Sequence, residues 1–197
     1  MNTKIKSIAV FCASADGNNK TYTETAYQLG KHMAELGIRL VYGGASIGCM
    51  GAVAKGALDA GGHVIGVLPQ FLNKREIAHL ELTELIYVDS MHERKLKMNE
   101  LSDACLTIPG GFGTMEEFFE MITWGQLGLH QKPSAILNVN QFYNPLIEQL
   151  KLMNKEGLLR DENLGMLLVS EDIQEVIQLM SDYTPPPLEK WLTEEKS

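Results

Sequence analysis

The stretch IPGGFGTMEE, Ile108–Glu117, sets three glycines within four positions after a short apolar run, then a threonine and two glutamates. So many glycines weaken a regular element, so bare backbone must be needed here. A glycine-rich turn that opens a helix aims several backbone N–H groups at one point, helped by the positive end of the helix dipole. Phosphate is the expected occupant of Gly111, Phe112 and Gly113, with Thr114 adding a hydroxyl donor where the helix starts. A second turn, VYGGASIGCMG, offers Gly43, Gly44 and Gly48 as a possible additional phosphate loop. For this one, a merely tight connection is an equal alternative. Neither turn carries the Gly-Lys pair of a Walker A loop. The dinucleotide fingerprint also fails: the turn after the first strand reads ASADGNNK, and Glu116 stands where Gly111-x-Gly113 would need its third glycine. The spacing supports one phosphate rather than a whole dinucleotide.

The acids come next. On the following helix, Met115, Phe118, Phe119 and Ile122 fall at the spacing of a buried stripe, which puts Glu117, Glu120, Met121 and Trp124 on the far side. A tryptophan and a methionine facing away from their own core need a cover, from a flat base, a second subunit or both. Glu117 reads either as a carboxylate one turn beyond the phosphate cradle or as an ordinary first-turn glutamate favoured by the dipole. In SMHERKLKMNEL, Arg94 shares a face with Met91, Met98 and Leu101. A guanidinium there wants an anionic partner, although its stem could simply cover the methionines. Lys95, a quarter-turn away, fits ordinary solvated charge.

These side chains must be held by a framework, and the chain alternates short β-rich runs with longer helical patterns. Strands are expected at residues 7–14, 38–44, 63–69, 84–89, 104–111 and 133–139. Helices are expected at 21–37, 48–62, 90–102, 114–127, 143–156 and 171–181. Such alternation means right-handed crossovers and a Rossmann-like, doubly wound parallel α/β sheet with helices on both faces. Ligands then bind beyond the carboxyl ends of the strands, where both glycine turns fall. Residues 1–183 read as a single nucleotide-binding domain, and the proline-rich residues 184–197 as an extended surface tail.

Composition narrows the function. With 197 residues, 45% hydrophobic, the chain can build a full core. A net charge of −8 argues against nucleic acid as a partner. No apolar run is long enough for a membrane span or a signal peptide. Cys12, Cys49 and Cys105 are odd in number and set among apolar or small residues, which reads as buried reduced thiols in a cytoplasmic protein. The five histidines are scattered and HERK is not a zinc-binding H-E-x-x-H, so no metal is expected.

Taken together, SMHERK, PGGFGTMEE, the upstream YGGASIGCMG and the downstream EMITWGQLGLHQKP closely resemble the LONELY GUY family. Its members are nucleoside 5′-monophosphate phosphoribohydrolases that release free base, including cytokinins, from the ribotide. The likeness runs from the first strand through AILNVNQFY. It implies a hydrolase without cofactor, acting on a nucleotide, and at least a homodimer. It also implies substrate-binding positions at Glu76, Arg94, Lys95, Gly111, Phe112, Gly113, Thr114, Met115, Glu116, Glu117 and Thr123. Of these, Glu117 and Arg94 are expected to be catalytic, while Glu76 and Thr123 would edge the sugar or base pocket. Relatives labelled lysine decarboxylases are a poor guide here, because no lysine stands in a pyridoxal-phosphate setting. A carrier of nucleotide or molybdenum cofactor on the same fold is the other reading, and a nucleotide sensor a third.

Overall fold

The computed structural model describes residues 5–73 and 78–187. Its framework is one seven-stranded, all-parallel sheet, with strands β1 (Ser7–Phe11), β2 (Arg39–Tyr42), β3 (Val64–Pro69), β4 (Glu84–Val88), β5 (Ala104–Thr107), β6 (Ser134–Leu137) and β7 (Leu167–Ser170). The spatial order is β4-β3-β2-β1-β5-β6-β7. Four central strands, β1, β3, β5 and β6, are buried at every position. This is why they read as continuous apolar runs rather than alternating ones.

Helices α1 (Thr21–Glu35), α2 (Gly48–Asp59) and α8 (Ile173–Asp182) cover one face, where Leu29, Met33, Val53 and Val176 pack on Ile8, Val10, Leu40 and Leu106. Helices α4 (Met91–Leu101), α5 (Phe112–Gln126) and α6 (Asn144–Lys155) cover the other, with Met98 and Met121 against Phe11, Val41 and Val67, and Leu146 and Ile147 near Ile136. Two single-turn helices, α3 (Gln70–Asn73) and α7 (Asp161–Leu164), complete the set. The doubly wound parallel architecture is therefore the expected one. The α1–α2 pair approaches closely because of two glycines. A Cβ on Gly30 would lie 2.0 Å from the Val53 carbonyl oxygen, and one on Gly56 would lie 2.0 Å from that of Tyr27.

Besides the short α3 and α7, which the sequence reading lacks, further details differ from it. Strand β7 was missed, because LLVS is four residues long and only half-buried at the sheet edge. Helix α5 starts two residues early, at Phe112. Its buried stripe is Thr114, Glu117, Phe118 and Met121, not the expected Met115, Phe118, Phe119 and Ile122. Met121 is 1% exposed and lies in the core, while Phe119 is exposed. The apolar residues on this helix spread over more than half its circumference, so counting them alone misplaced the seam. Of the expected surface tail, residues 184–187 are irregular, and the rest lies outside the described residues.

Candidate active site

The strand order reverses between β1 and β5. Chain leaving β1 turns towards β2, and chain leaving β5 turns towards β6, so the two loops part and open a crevice at the carboxyl edge. They stay tied at its floor, where Ile108 N–H donates to Phe11 (3.0 Å) and Ala13 N–H to Pro109 (3.2 Å). The Tyr143 hydroxyl donates to the Ile108 carbonyl at 3.0 Å and steadies the same turn.

Above that floor α5 begins. Gly111 is its N-cap, no side chain caps it, and the first bond closing the helix is Met115 N–H to Gly111 at 3.1 Å. The amides of Phe112, Gly113 and Thr114 are thus the usual orphans of a helix start, with no acceptor among the described residues. The space around them is open. A Cβ added at Gly111 or Gly113 would touch nothing within 4 Å, and Phe112 is 97% exposed. Gly110 is glycine for another reason: Thr114 packs on it, and a Cβ there would fall 2.1 Å from the threonine hydroxyl.

The second glycine turn is used differently. Met50 N–H donates to Ala13 (3.2 Å) and Cys49 N–H to Ala15 (3.4 Å), so the first amides of α2 are already occupied. Gly44 and Gly48 adopt positive φ, 76° and 61°. At Gly43 the bare Cα makes room for a side chain, since a Cβ would lie 1.8 Å from Nη2 of Arg94.

Arg94 reaches this point from α4. Ser90 caps that helix by accepting from Glu93 N–H at 3.1 Å, and the Glu93 carboxylate accepts from Asp89 N–H at 2.7 Å. The guanidinium is buried. Its Nε donates to the Val67 carbonyl of β3 at 3.2 Å, and its Nη1 faces Glu117 Oε1 at 3.6 Å. That separation is a charge contact wider than a hydrogen bond. Glu117 is 4% exposed. Burial pushes its carboxyl up to about 7; Arg94 pulls it back, Glu116 pushes it further, Lys95 pulls it down and Glu120 raises it again. A carboxyl that titrates near neutrality under these opposing influences is suited to proton transfer.

Lys95 is buried too, which overturns the reading of it as solvated charge. It pairs with Glu116 and, at 2.9 Å, with Glu120. Cys12 follows β1 close enough for Glu117 and Arg94 to act on it; burial holds its thiol well above the usual range, so it stays protonated. All three cysteines are free and buried. The structure therefore gathers Arg94, Lys95, Glu116 and Glu117 along α5 just after the Gly111–Thr114 turn. Met115 is half-buried towards Phe118 and Tyr143. Thr123 is exposed on α5, about 9 Å along the helix from Glu117 at the usual rise per residue, and Glu76 lies outside the described residues. Gly43, the Val67 carbonyl and Tyr143 were missed as supports. A backbone acceptor leaves no mark in a sequence, and Gly43 was noticed only as part of a loop.

A family model described as "possible lysine decarboxylase" matches residues 50–180. The chain is 45% identical over 173 residues to a cytokinin riboside 5′-monophosphate phosphoribohydrolase of Rhodococcoides fascians, covering 87% of each chain. It is 40% identical over 183 residues to the enzyme of that name, LOG, from Oryza sativa subsp. japonica, covering 93% of this chain and 76% of that one. Among solved structures, the Moco carrier protein of Chlamydomonas reinhardtii superposes with a TM-score of 0.66 at 23% identity, over 96% of this chain and 98% of that one, a likeness of fold.

Proposed function

The chain belongs to the LONELY GUY family of cytokinin riboside 5′-monophosphate phosphoribohydrolases, and from that premise we propose that it hydrolyses the N-glycosidic bond of adenine-type nucleoside 5′-monophosphates to free base and ribose 5-phosphate. The observation that carries this reading is the buried Arg94–Glu117 pair, 3.6 Å apart, on the turn of α5 that follows its uncapped start. The 5′-phosphate accepts from the amides of Gly111–Thr114. Cleavage sends the bonding electrons to the departing base and leaves oxocarbenium character on the sugar. The Glu117 carboxylate stabilises that charge and takes the proton of the attacking water, while the departing base takes up a proton from solvent to leave as the neutral free base. Arg94 aligns Glu117 and offsets its burial. Phosphate binding, remote from the breaking bond, is thereby used to hold the anomeric carbon in place. No phosphate is assigned to the Gly43–Gly48 turn, whose following amides already have acceptors.

Decarboxylation of lysine fits poorly. A Schiff-base lysine must lose its proton easily. Burial alone would lower the pKa of Lys95, but the ion pairs with Glu116 and Glu120 outweigh it and raise the pKa. A carrier on this fold would need the open amides but has no evident use for the buried acid.

The same reading makes the protein a cytoplasmic homodimer. Its covered surface would be the outer stripe of α5, where Phe112, Phe119 and Leu127 are exposed, rather than the face of the core residue Met121. Incubation with AMP and with isopentenyladenosine monophosphate, followed by chromatography for free base, tests the activity. Base release is expected from the wild type, and a loss of about 10²–10⁴-fold in Glu117→Gln. Tight nucleotide binding without base release would favour the carrier.

A further inference from the structure

We propose that Lys95 is a positioning residue for this hydrolysis: held between Glu116 and Glu120, its ammonium keeps their charge off Glu117 and leaves Glu117 to Arg94. The inference rests on the hydrolase reading above for its meaning, though not for its test.

The geometry is that of a clamp between two helices. The Lys95 side chain is 5% exposed, so it is held between α4 and α5. Its nitrogen touches Glu116 Oε1 and lies 2.9 Å from Glu120 Oε2. The second contact is electrostatic, because that oxygen is buried and has no well-aligned hydrogen-bond donor. Glu116 and Glu120 are four residues apart on α5 and so share a face. Glu117 adjoins the first and lies one turn from the second. Three carboxylates thus crowd two successive turns in the middle of α5, and like charges at these spacings repel.

Helix α4 answers with two cations that are adjacent in sequence and therefore diverge by about 100° around the helix. Arg94 goes to Val67 and Glu117, and Lys95 goes to Glu116 and Glu120. The charged or titratable groups facing Glu117 are these two cations from α4, Glu116 and Glu120 from α5, and the protonated Cys12 just after β1. Without Lys95, Glu116, whose side chain is 55% exposed, can turn to water. Glu120, whose side chain is 22% exposed, is far less able to do so. Its charge would then act on Glu117 uncompensated and hold the Glu117 proton more tightly, which also supports the proposed role.

The test reads Glu117 directly. A carboxyl-¹³C glutamate-labelled protein is titrated by NMR, with Glu117→Gln identifying the signal. In Lys95→Met the Glu117 midpoint should rise by about one pH unit, a tenfold change in proton affinity. Lys95→Arg and the double variant Lys95→Met/Glu120→Gln should each return it to the wild-type position. If Lys95→Met does not fold, Glu120→Gln alone should lower the midpoint. With AMP as substrate, kcat/KM of Lys95→Met should be about tenfold below wild type at pH 6 and approach it at pH 9, with KM at pH 9 within about twofold. An unmoved Glu117 midpoint, or a KM raised about tenfold with an unmoved profile, overturns the proposal. A wild type that releases no base while the midpoint still moves overturns only the hydrolase reading.

Discussion

At the residue scale the site turns on one acid placed where charge is costly. Glu117 is buried, and burial raises its carboxyl from the ordinary value near 4.5 to about 7. Activity that needs the carboxylate should therefore climb between pH 6 and 8 with a half-point near 7, and kcat/KM for AMP measured across that range checks it. A flat profile would remove Glu117 as the proton acceptor. The same shift has a consequence for stability. The folded protein keeps a proton on Glu117 that the unfolded chain gives up at its lower pKa. The stabilisation from that proton is complete below the ordinary value near 4.5 and is lost as pH rises through about 7. Melting curves between pH 5 and 8 should show the Tm of the wild type falling relative to that of Glu117→Gln. Parallel pH dependences would mean that the carboxyl titrates normally. Arg94 is equally particular: a lysine keeps the charge but has no Nε to donate to Val67. Arg94→Lys should accordingly lose most turnover while remaining folded.

At the scale of elements, what places these residues is a set of close approaches, and glycine marks each of them. Gly43→Ala would put a methyl 1.8 Å from Arg94 Nη2, so the guanidinium must leave its position over the turn. Its kinetic loss should resemble that of Arg94→Lys with Tm little changed, because the yielding atom is the far end of a flexible side chain. Gly30→Ala is the opposite case, since its methyl would meet the Val53 backbone oxygen at 2.0 Å and only a helix shift could relieve it. A loss of about 1–3 kcal/mol is expected from such overpacking, read by urea unfolding, with the kcat of the remaining folded protein unchanged. These cases also show what the sequence could disclose. The glycine turn that opens α5 and an arginine seeking an acid at Arg94 were legible, because each is an unusual residue type at a spacing with physical meaning; the exact helix start and the burial of Glu117 were not. That Lys95 is buried was not legible. Nothing in MHERKLKM says which of two adjacent cations turns inward, and here both do. The seam of α5 was misread because Phe119 and Met121 are equally apolar, and only the neighbouring sheet decides which is covered.

At the scale of the whole molecule, strand–helix alternation announced a parallel sheet, yet not the order of its strands. The β1–β5 pairing joins residues about a hundred positions apart, Ile8 with Ala104, and no local pattern encodes such a contact. That pairing makes the site, because reversal of the winding direction there leaves the crevice into which α5 opens. A ligand that fills it touches chain from both halves of the sheet, and binding should therefore stabilise the fold as a unit. Ligand present at about 100 times its Kd adds about 2.7 kcal/mol, or about 5–10 °C in Tm for a chain of this size. Glu117→Gln, which should bind without turnover, is the protein in which to look. If the open amides of Gly111–Thr114 hold the 5′-phosphate, AMP should produce that rise, adenosine at the same concentration should produce little, and inorganic phosphate should produce a smaller rise that competes with AMP. Equal shifts from AMP and adenosine would show that recognition rests on the base and sugar, and would leave the uncapped start of α5 without the anion it is proposed to hold.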